Sequence, residues 1–271
     1  MLGHLEWEDG NPLIGVVVHT HDKYADLLER SLKSILAQTV PKELMEVTVM
    51  HDGPVEKQTE EVCFDILGKE VMRSRLLGTH RKYGYYTIPS NYAIVHSEAA
   101  YIAFLDADNE YLPDHLSHSL KALRLPSTLD GWPHFTYTRR KYVRDEGADE
   151  SLPEGDSPFV PWGEEAIARL WSDPRNNFID TSDIVASRSV FYELAERTRQ
   201  MWNTQARRFG DYELMGRMAR CGFRGRGLNL ITTVYHWHGR NLQLTRSPVE
   251  GDVAVLPQHE FNKYLDEGKF K

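Results

Sequence analysis

The chain has 271 residues, 41% hydrophobic and 27% charged, an ordinary globular balance with room for one large α/β domain and a sizeable core. Forty acidic against 32 basic residues give a formal net charge of −8, which argues against broad, nonspecific binding of nucleic acid and leaves only a local basic patch open. Cys63 and Cys221 lack metal-ligand spacing and read as reduced thiols, residues 1–11 lack a signal-peptide pattern, and no apolar run approaches the roughly 20 residues that span a bilayer, so a soluble, cytoplasmic protein is expected.

Leu13-Ile14-Gly15-Val16-Val17-Val18 is a short β-branched run, read as a buried first strand, and His19-Thr20-His21-Asp22 is the polar turn after it. Leu28, Leu32, Ile35 and Leu36 recur at helical spacing and predict a helix over about 24–38. Residues 45–50 read as a second strand ending in the turn His51-Asp52-Gly53-Pro54. This strand–helix–strand order points to a parallel sheet with right-handed crossovers. Next come a helix over 56–67, a faintly patterned strand over 70–76 and a Gly/Tyr-rich loop over 78–87. A helix over 89–98 has Pro89 in its first turn.

Residues 101–105 form a buried strand that runs straight into Asp106-Ala107-Asp108-Asn109. A helix follows over 113–123, then a strand of mixed polarity over 132–143. The acidic, turn-rich residues 144–158 read as a mobile surface loop. Helices are expected at 163–171, 189–200 and 211–221, the last capped by Gly222, before a strand over 228–236. Residues 241–271 show little periodicity. The expected layout is a single domain over 1–271: a nucleotide-binding half at 12–110, an acceptor-binding half at 111–242, and a tail or flap at 243–271.

Two carboxylates two residues apart at a strand end fall on one side if the chain stays extended. Asp106 and Asp108 therefore suit a hard divalent cation such as Mg²⁺ or Mn²⁺, which also takes diphosphate oxygens. The plainer reading is an acidic turn, since Asp and Asn favour turns. His236 and His238, two apart at the last strand's end, are further candidate ligands among 12 histidines.

The segment 101–109 resembles the D-x-D region of family 2 glycosyltransferases with the GT-A fold. Residues 16–39 resemble that family's first strand and helix, Val47-Thr48-Val49-Met50-His51-Asp52-Gly53 its second strand and Asp-Asp-Gly turn, and Phe209-Gly210-Asp211-Tyr212-Glu213-Leu214 its acceptor motif. The resemblance implies a Rossmann-like, mostly parallel α/β sheet with helices on both faces, plus a small acceptor-side sheet. It also implies a metal-dependent transfer from a nucleotide sugar, expected to be UDP-linked, to an acceptor hydroxyl with inversion.

By the same resemblance, Thr20 and Asp22 hold the nucleoside, Asp52 the nucleobase, and Asn91 lies in the nucleotide-binding region. Asp106 faces ribose and metal, Asp108 the metal, and Asp211 is the general base. His238 matches a late metal-binding histidine more closely than His236, and Arg240 would then meet a diphosphate oxygen. Asp211 also fits a plain helix N-cap. The chain departs from the family at His19, His51, Asn109 and Gly210, and near Pro89-Ser90-Asn91, where the family's arginine is missing.

Trp132, Trp162 and Trp171 read as core, Arg207-Arg208 as solvated surface, and Asp180-Thr181-Ser182-Asp183 as a lining of the acceptor cleft. Other readings are a retaining glycosyltransferase, a nucleotidyltransferase, which predicts a glycine-rich basic loop after the first strand, and a non-catalytic sugar- or nucleotide-binding module. The acceptor's identity and the oligomeric state stay open.

Overall fold

The computed structural model describes residues 12–241, apart from 69–70, 72, 126–131, 173–176 and 207–208. The expected tail or flap at 243–271 and the Arg207-Arg208 pair lie outside the described residues.

Four strands, β1 (Ile14–Thr20), β2 (Met45–His51), β3 (Ser74–Gly78) and β4 (Tyr101–Asp106), lie in the order β3-β2-β1-β4. All pair in parallel, as crossover connections require. β1 and β2 are buried along their whole length, which is why they read as continuous apolar runs rather than alternating ones. The period of two still sorts their side chains. Val16, Val18, Val47, Val49, Ala103 and Leu105 meet the helices α1 (Ala25–Leu36) and α2 (Lys57–Leu67). Val17, Met50, Ile102 and Phe104 face the opposite side, packing with α3 (Thr87–His96), Phe135, Phe191 and the fully buried Trp202. Each such large side chain contributes about 1.5–3 kcal/mol by leaving water.

A two-residue strand, β5 (Glu110–Tyr111), and α4 (His115–Leu123) follow the D-x-D turn. Beyond them come β6 (Phe135–Arg144), β7 (Gly155–Asp156), α5 (Glu164–Leu170), β8 (Ile184–Ser187), α6 (Arg188–Thr198), α7 (Gly210–Arg220) and β9 (Gly225–Trp237). β8 runs antiparallel between β4 and β6, and β9 lies parallel to β6 and carries β5 on its far edge. The β6–β9 register shifts between Tyr137 and Arg140, and such irregularities bend a sheet. The strands β5, β6, β7 and β9, expected as a small separate sheet, thus continue the main sheet. Among the described residues no helix is long and apolar enough to cross a membrane.

Helix boundaries fall within about two residues of those the periodicity predicts. At the end of α7, Gly222 has φ +76° and Phe223 N–H reaches Met218 O at 3.0 Å, the Schellman arrangement that favours glycine there. The third strand lies later than expected, at Ser74–Gly78. The short β5 and β7 carry no readable period at all. Residues 144–158 are tied down rather than free. β7 pairs with β6, Ser157 N–H donates to Arg140 O at 2.8 Å, and Asp145 reaches into the site described next.

Candidate active site

The carboxyl ends of β1, β2 and β4 open on one edge of the sheet, the place where open α/β sheets receive ligands. There the chain turns sharply after Asp106, and the turn is held from three sides. Ala107 N–H donates to His19 O at 2.9 Å. The Ser31 hydroxyl of α1 reaches both Asp106 O and Asn109 O, at 3.0 and 2.9 Å. Asn109 Nδ2 donates to Ser182 Oγ at 3.1 Å, and the Arg30 guanidinium to Asp108 O at 2.9 Å. Every buried backbone group so fixed removes freedom from the carboxylates it carries.

The Asp108 carboxylate lies 2.9 Å from His238 Nε2. His236 does not join them. β9 ends at Trp237, so the period of two that would align the histidines stops there. Gly239 turns the chain at φ +72°, and Asn241 ties the turn by accepting from His238 N–H and donating to His236 O. His236 instead sits between Asp145, 2.7 Å from Nδ1, and Glu110, 2.6 Å from Nε2. Arg30 closes this group at 3.2 Å from Asp145. Burial pushes the Asp145 carboxyl up, but the contacts with His236 and Arg30 outweigh it and hold it below the usual range.

A second acidic group adjoins the first. Asp106, Asp180 and Asp211 act on one another electrostatically, and Asp183 is wholly buried beside Asp180. The nearby cation is Arg140 of β6, 2.7 Å from Asp183 and 3.8 Å from Asp180. Burial, then Asp180, Asp108 and Asp211, raise Asp106 well above the usual carboxyl range. Burial lifts Asp183 to about 6.

Asp106 also touches His19, whose Nδ1 lies 3.3 Å away. Burial lowers His19 to about 3, so the ring is neutral at neutral pH. Ser90 Oγ donates to Tyr86 O, so at 2.8 Å it accepts from His19 Nε2–H, and Nδ1 is left bare.

Asp211 stands in the first turn of α7, where the helix dipole favours its charge. Its oxygens accept from Tyr212 N–H at 2.8 Å and from Asn177 Nδ2 at 3.0 Å. Burial and then Asp180 outweigh these and push the carboxyl up to about 7. The adjacent Gly210 has a steric cause. A Cβ there would meet Thr87 Cγ2 at 2.7 Å and the Tyr86 hydroxyl at 3.0 Å.

The remaining expected contacts are distributed as follows. Thr20 is buried at the end of β1, and its hydroxyl has no hydrogen-bond partner among the described residues. Asp22 is exposed and pairs with Lys82 at 2.5 Å. Both Asp52 oxygens accept backbone N–H groups of the Gly/Tyr loop, from Tyr83 at 2.8 Å and Gly84 at 2.6 Å. Asn91 has its amide bonded at both ends to the Trp202 backbone. Arg240 makes a two-pronged pair with Asp26 at 3.2 and 2.8 Å. Of the three tryptophans read as core, Trp162 packs on Phe135, while Trp132 and Trp171 are exposed. The sequence reading assigned no function to Arg30, Glu110, Arg140 or Asp145. The signal in Arg140 was a cation within an otherwise inward-facing strand.

Among the described residues no three His, Cys, Asp or Glu side chains converge as a ready-made metal site. Mg²⁺ and Mn²⁺ ask for less, since one or two protein ligands suffice when phosphates and water complete the shell. Asp108 and His238 meet that need, beside a buried excess of carboxylate that a cation would relieve. The residues therefore fit the group.

The fold is similar to that of S. aureus TarS 1-349, with a TM-score of 0.61, 15% identity, and coverage of 83% of this chain and 60% of that one. The same protein in complex with UDP-GlcNAc gives a TM-score of 0.60 at 13% identity, over 88% and 62% of the two chains. The mannosyltransferase PcManGT from Pyrobaculum calidifontis, in complex with GDP-Man and Mn²⁺, gives 0.57 at 19% identity, over 83% and 57%. The chain spans about three-fifths of the length of these structures. No curated protein sequence matches it. The model of the Glycosyl transferase family 2 matches residues 15–195, from the first strand of the sheet through the D-x-D turn and into α6, and the chain belongs to that glycosyltransferase family.

Proposed function

We propose that this enzyme transfers a sugar from a UDP-linked donor to an acceptor hydroxyl with inversion, using Asp211 as the base. The observation that carries this reading is the state of Asp211: a buried carboxylate at a helix start, with its pKa raised to about 7. A general base works best when its pKa lies near the operating pH. Asp211 takes the acceptor proton as the hydroxyl oxygen attacks the anomeric carbon. The bond from that carbon to the diphosphate breaks, and its electron pair leaves on the phosphate oxygen. Asn177 and the Tyr212 N–H orient the carboxylate, and Thr20 offers its unpaired hydroxyl to the nucleoside.

Asp108 and His238 would hold a divalent cation, Mn²⁺ or Mg²⁺, whose charge steadies the departing diphosphate. The UDP-GlcNAc complex of one structural neighbour supports the UDP donor, and the GDP-Man complex of another supports a nucleotide sugar in general. UDP titrated into the protein with Mn²⁺ is expected to bind, and Asp108→Ala to weaken it by about 10-fold or more (1.4 kcal/mol). Unchanged affinity in that variant would remove the cation site from Asp108, and GDP binding in place of UDP would reassign the donor.

A further inference from the structure

The opposite end of β4 has its own concavity. A groove of about 680 Å³ is walled there in part by Tyr101, Arg124, Trp132, His134, Glu193 and Arg224. Tyr101 opens β4 and Asp106 closes it, so about 16 Å of extended chain separates the groove from the acidic site. Its volume is in the range of ligand sites.

Two features mark the lining. Trp132 is 54% exposed, in a chain that buries Trp202 completely. An indole left in water presents a broad apolar face with no intramolecular use. The second feature is unspent positive charge. Among the described residues Arg124 makes no side-chain hydrogen bond or ion pair, and Arg224 reaches only the Trp132 carbonyl, at 3.4 Å. The carboxylate in the wall, Glu193, is already paired with Arg197. His134 Nδ1 accepts Arg224 N–H at 2.9 Å, which leaves Nε2–H as a further donor. The lining is thus cationic in a chain of net charge −8.

Guanidinium forks match phosphate and carboxylate oxygens, and a flat indole matches the apolar face of a sugar ring. We propose that this groove is a second, non-catalytic site that binds a saccharide chain carrying phosphate or carboxylate groups. The site stands apart from the Asp211 assignment and needs neither nucleotide nor cation. An acceptor long enough to reach both ends of β4 would be held at the groove while its terminus is modified.

Calorimetry on the full chain in EDTA tests this with three probes: hexagalacturonate, 6-phosphorylated mannohexaose and uncharged mannohexaose. At least one anionic probe is expected to bind about 10-fold or more tightly than the neutral one, a difference of 1.4 kcal/mol. Comparing the two anionic probes tells carboxylate from phosphate. Trp132→Ala should weaken binding of all three, Arg124→Ala/Arg224→Ala should erase the anionic preference, and Asp108→Ala should leave binding unchanged. The three altered groove positions, Arg124, Trp132 and Arg224, are exposed, and circular dichroism checks that the variants fold. The proposal is overturned if neither anionic probe binds, if Trp132→Ala has no effect, if Asp108→Ala abolishes binding, or if a ten-nucleotide dT strand binds more tightly than every saccharide.

Discussion

Thr20, Asp52 and Asp106 sit where three parallel strands run out, each presented by backbone that apolar packing has already placed. Asp180, Asp183 and Asp211 are presented differently. They come from a 3-10 turn and a helix start, and electrostatics around the buried Arg140 hold them together. The first arrangement draws its stability from hydrophobic burial, which tolerates change at the polar tip. The second depends on compensation of charge out of water, where losing one partner leaves the others stranded.

The comparison is tested most severely by Arg140→Met. Removing the partner of a buried carboxylate costs about 3–5 kcal/mol, read as a fall in the urea midpoint with loss of activity. A cost below about 1 kcal/mol would mean that the second half does not rest on charge. Asp211→Asn keeps the shape and removes the base. Turnover should fall by about 10²–10⁴-fold while UDP binding persists, and retained turnover would favour a retaining mechanism.

The wild-type pH profile follows from the same residue. The base works ionised, so activity should rise with pH through about 7. Stability of the cation-free protein runs the other way. The folded pKa is raised above the ordinary aspartate value of 3.8, so this group's contribution is fully present below 3.8 and is lost as pH rises through about 7.

A smaller effect is expected where the halves meet. His236→Gln removes one contact between Asp145 and Glu110 and loosens the turn that carries Asp108. Groups that support metal ligands are typically worth about 10–100-fold in metal affinity, so Mn²⁺ titration should show a loss in that range. An unchanged affinity would make the His236 group a purely structural tie. Smallest of all is Lys82→Ala, which breaks the exposed pair with Asp22 and should shift stability by at most about 1 kcal/mol.

The same contrast explains what was readable from sequence. The strands β1, β2 and β4 and the D-x-D turn were legible because apolar periodicity is local, and these strands contain it whole. The turn's supports were not. Ser31 and Asp106 lie 75 residues apart, and His19 and Ser90 are separated by 71. Nothing in either neighbourhood announces the pairing. The parting of His236 from His238 was equally hidden, because alternation ends at Trp237, where Gly239 and Asn241 turn the chain. The bonds between Asn91 and the Trp202 backbone were hidden too, since an amide in a helix satisfies a distant backbone as readily as a ligand.

Gly210 has a consequence for descent. Family relatives often carry a glutamate here, but Thr87 and Tyr86 already fill the space a side chain would need. Tyr86 is itself engaged, since its hydroxyl accepts the Asp211 N–H at 2.9 Å and its ring packs on Trp202. For a lineage that gains glutamate at position 210, Thr87 or Tyr86 must give way, and a shift of Tyr86 disturbs Asp211.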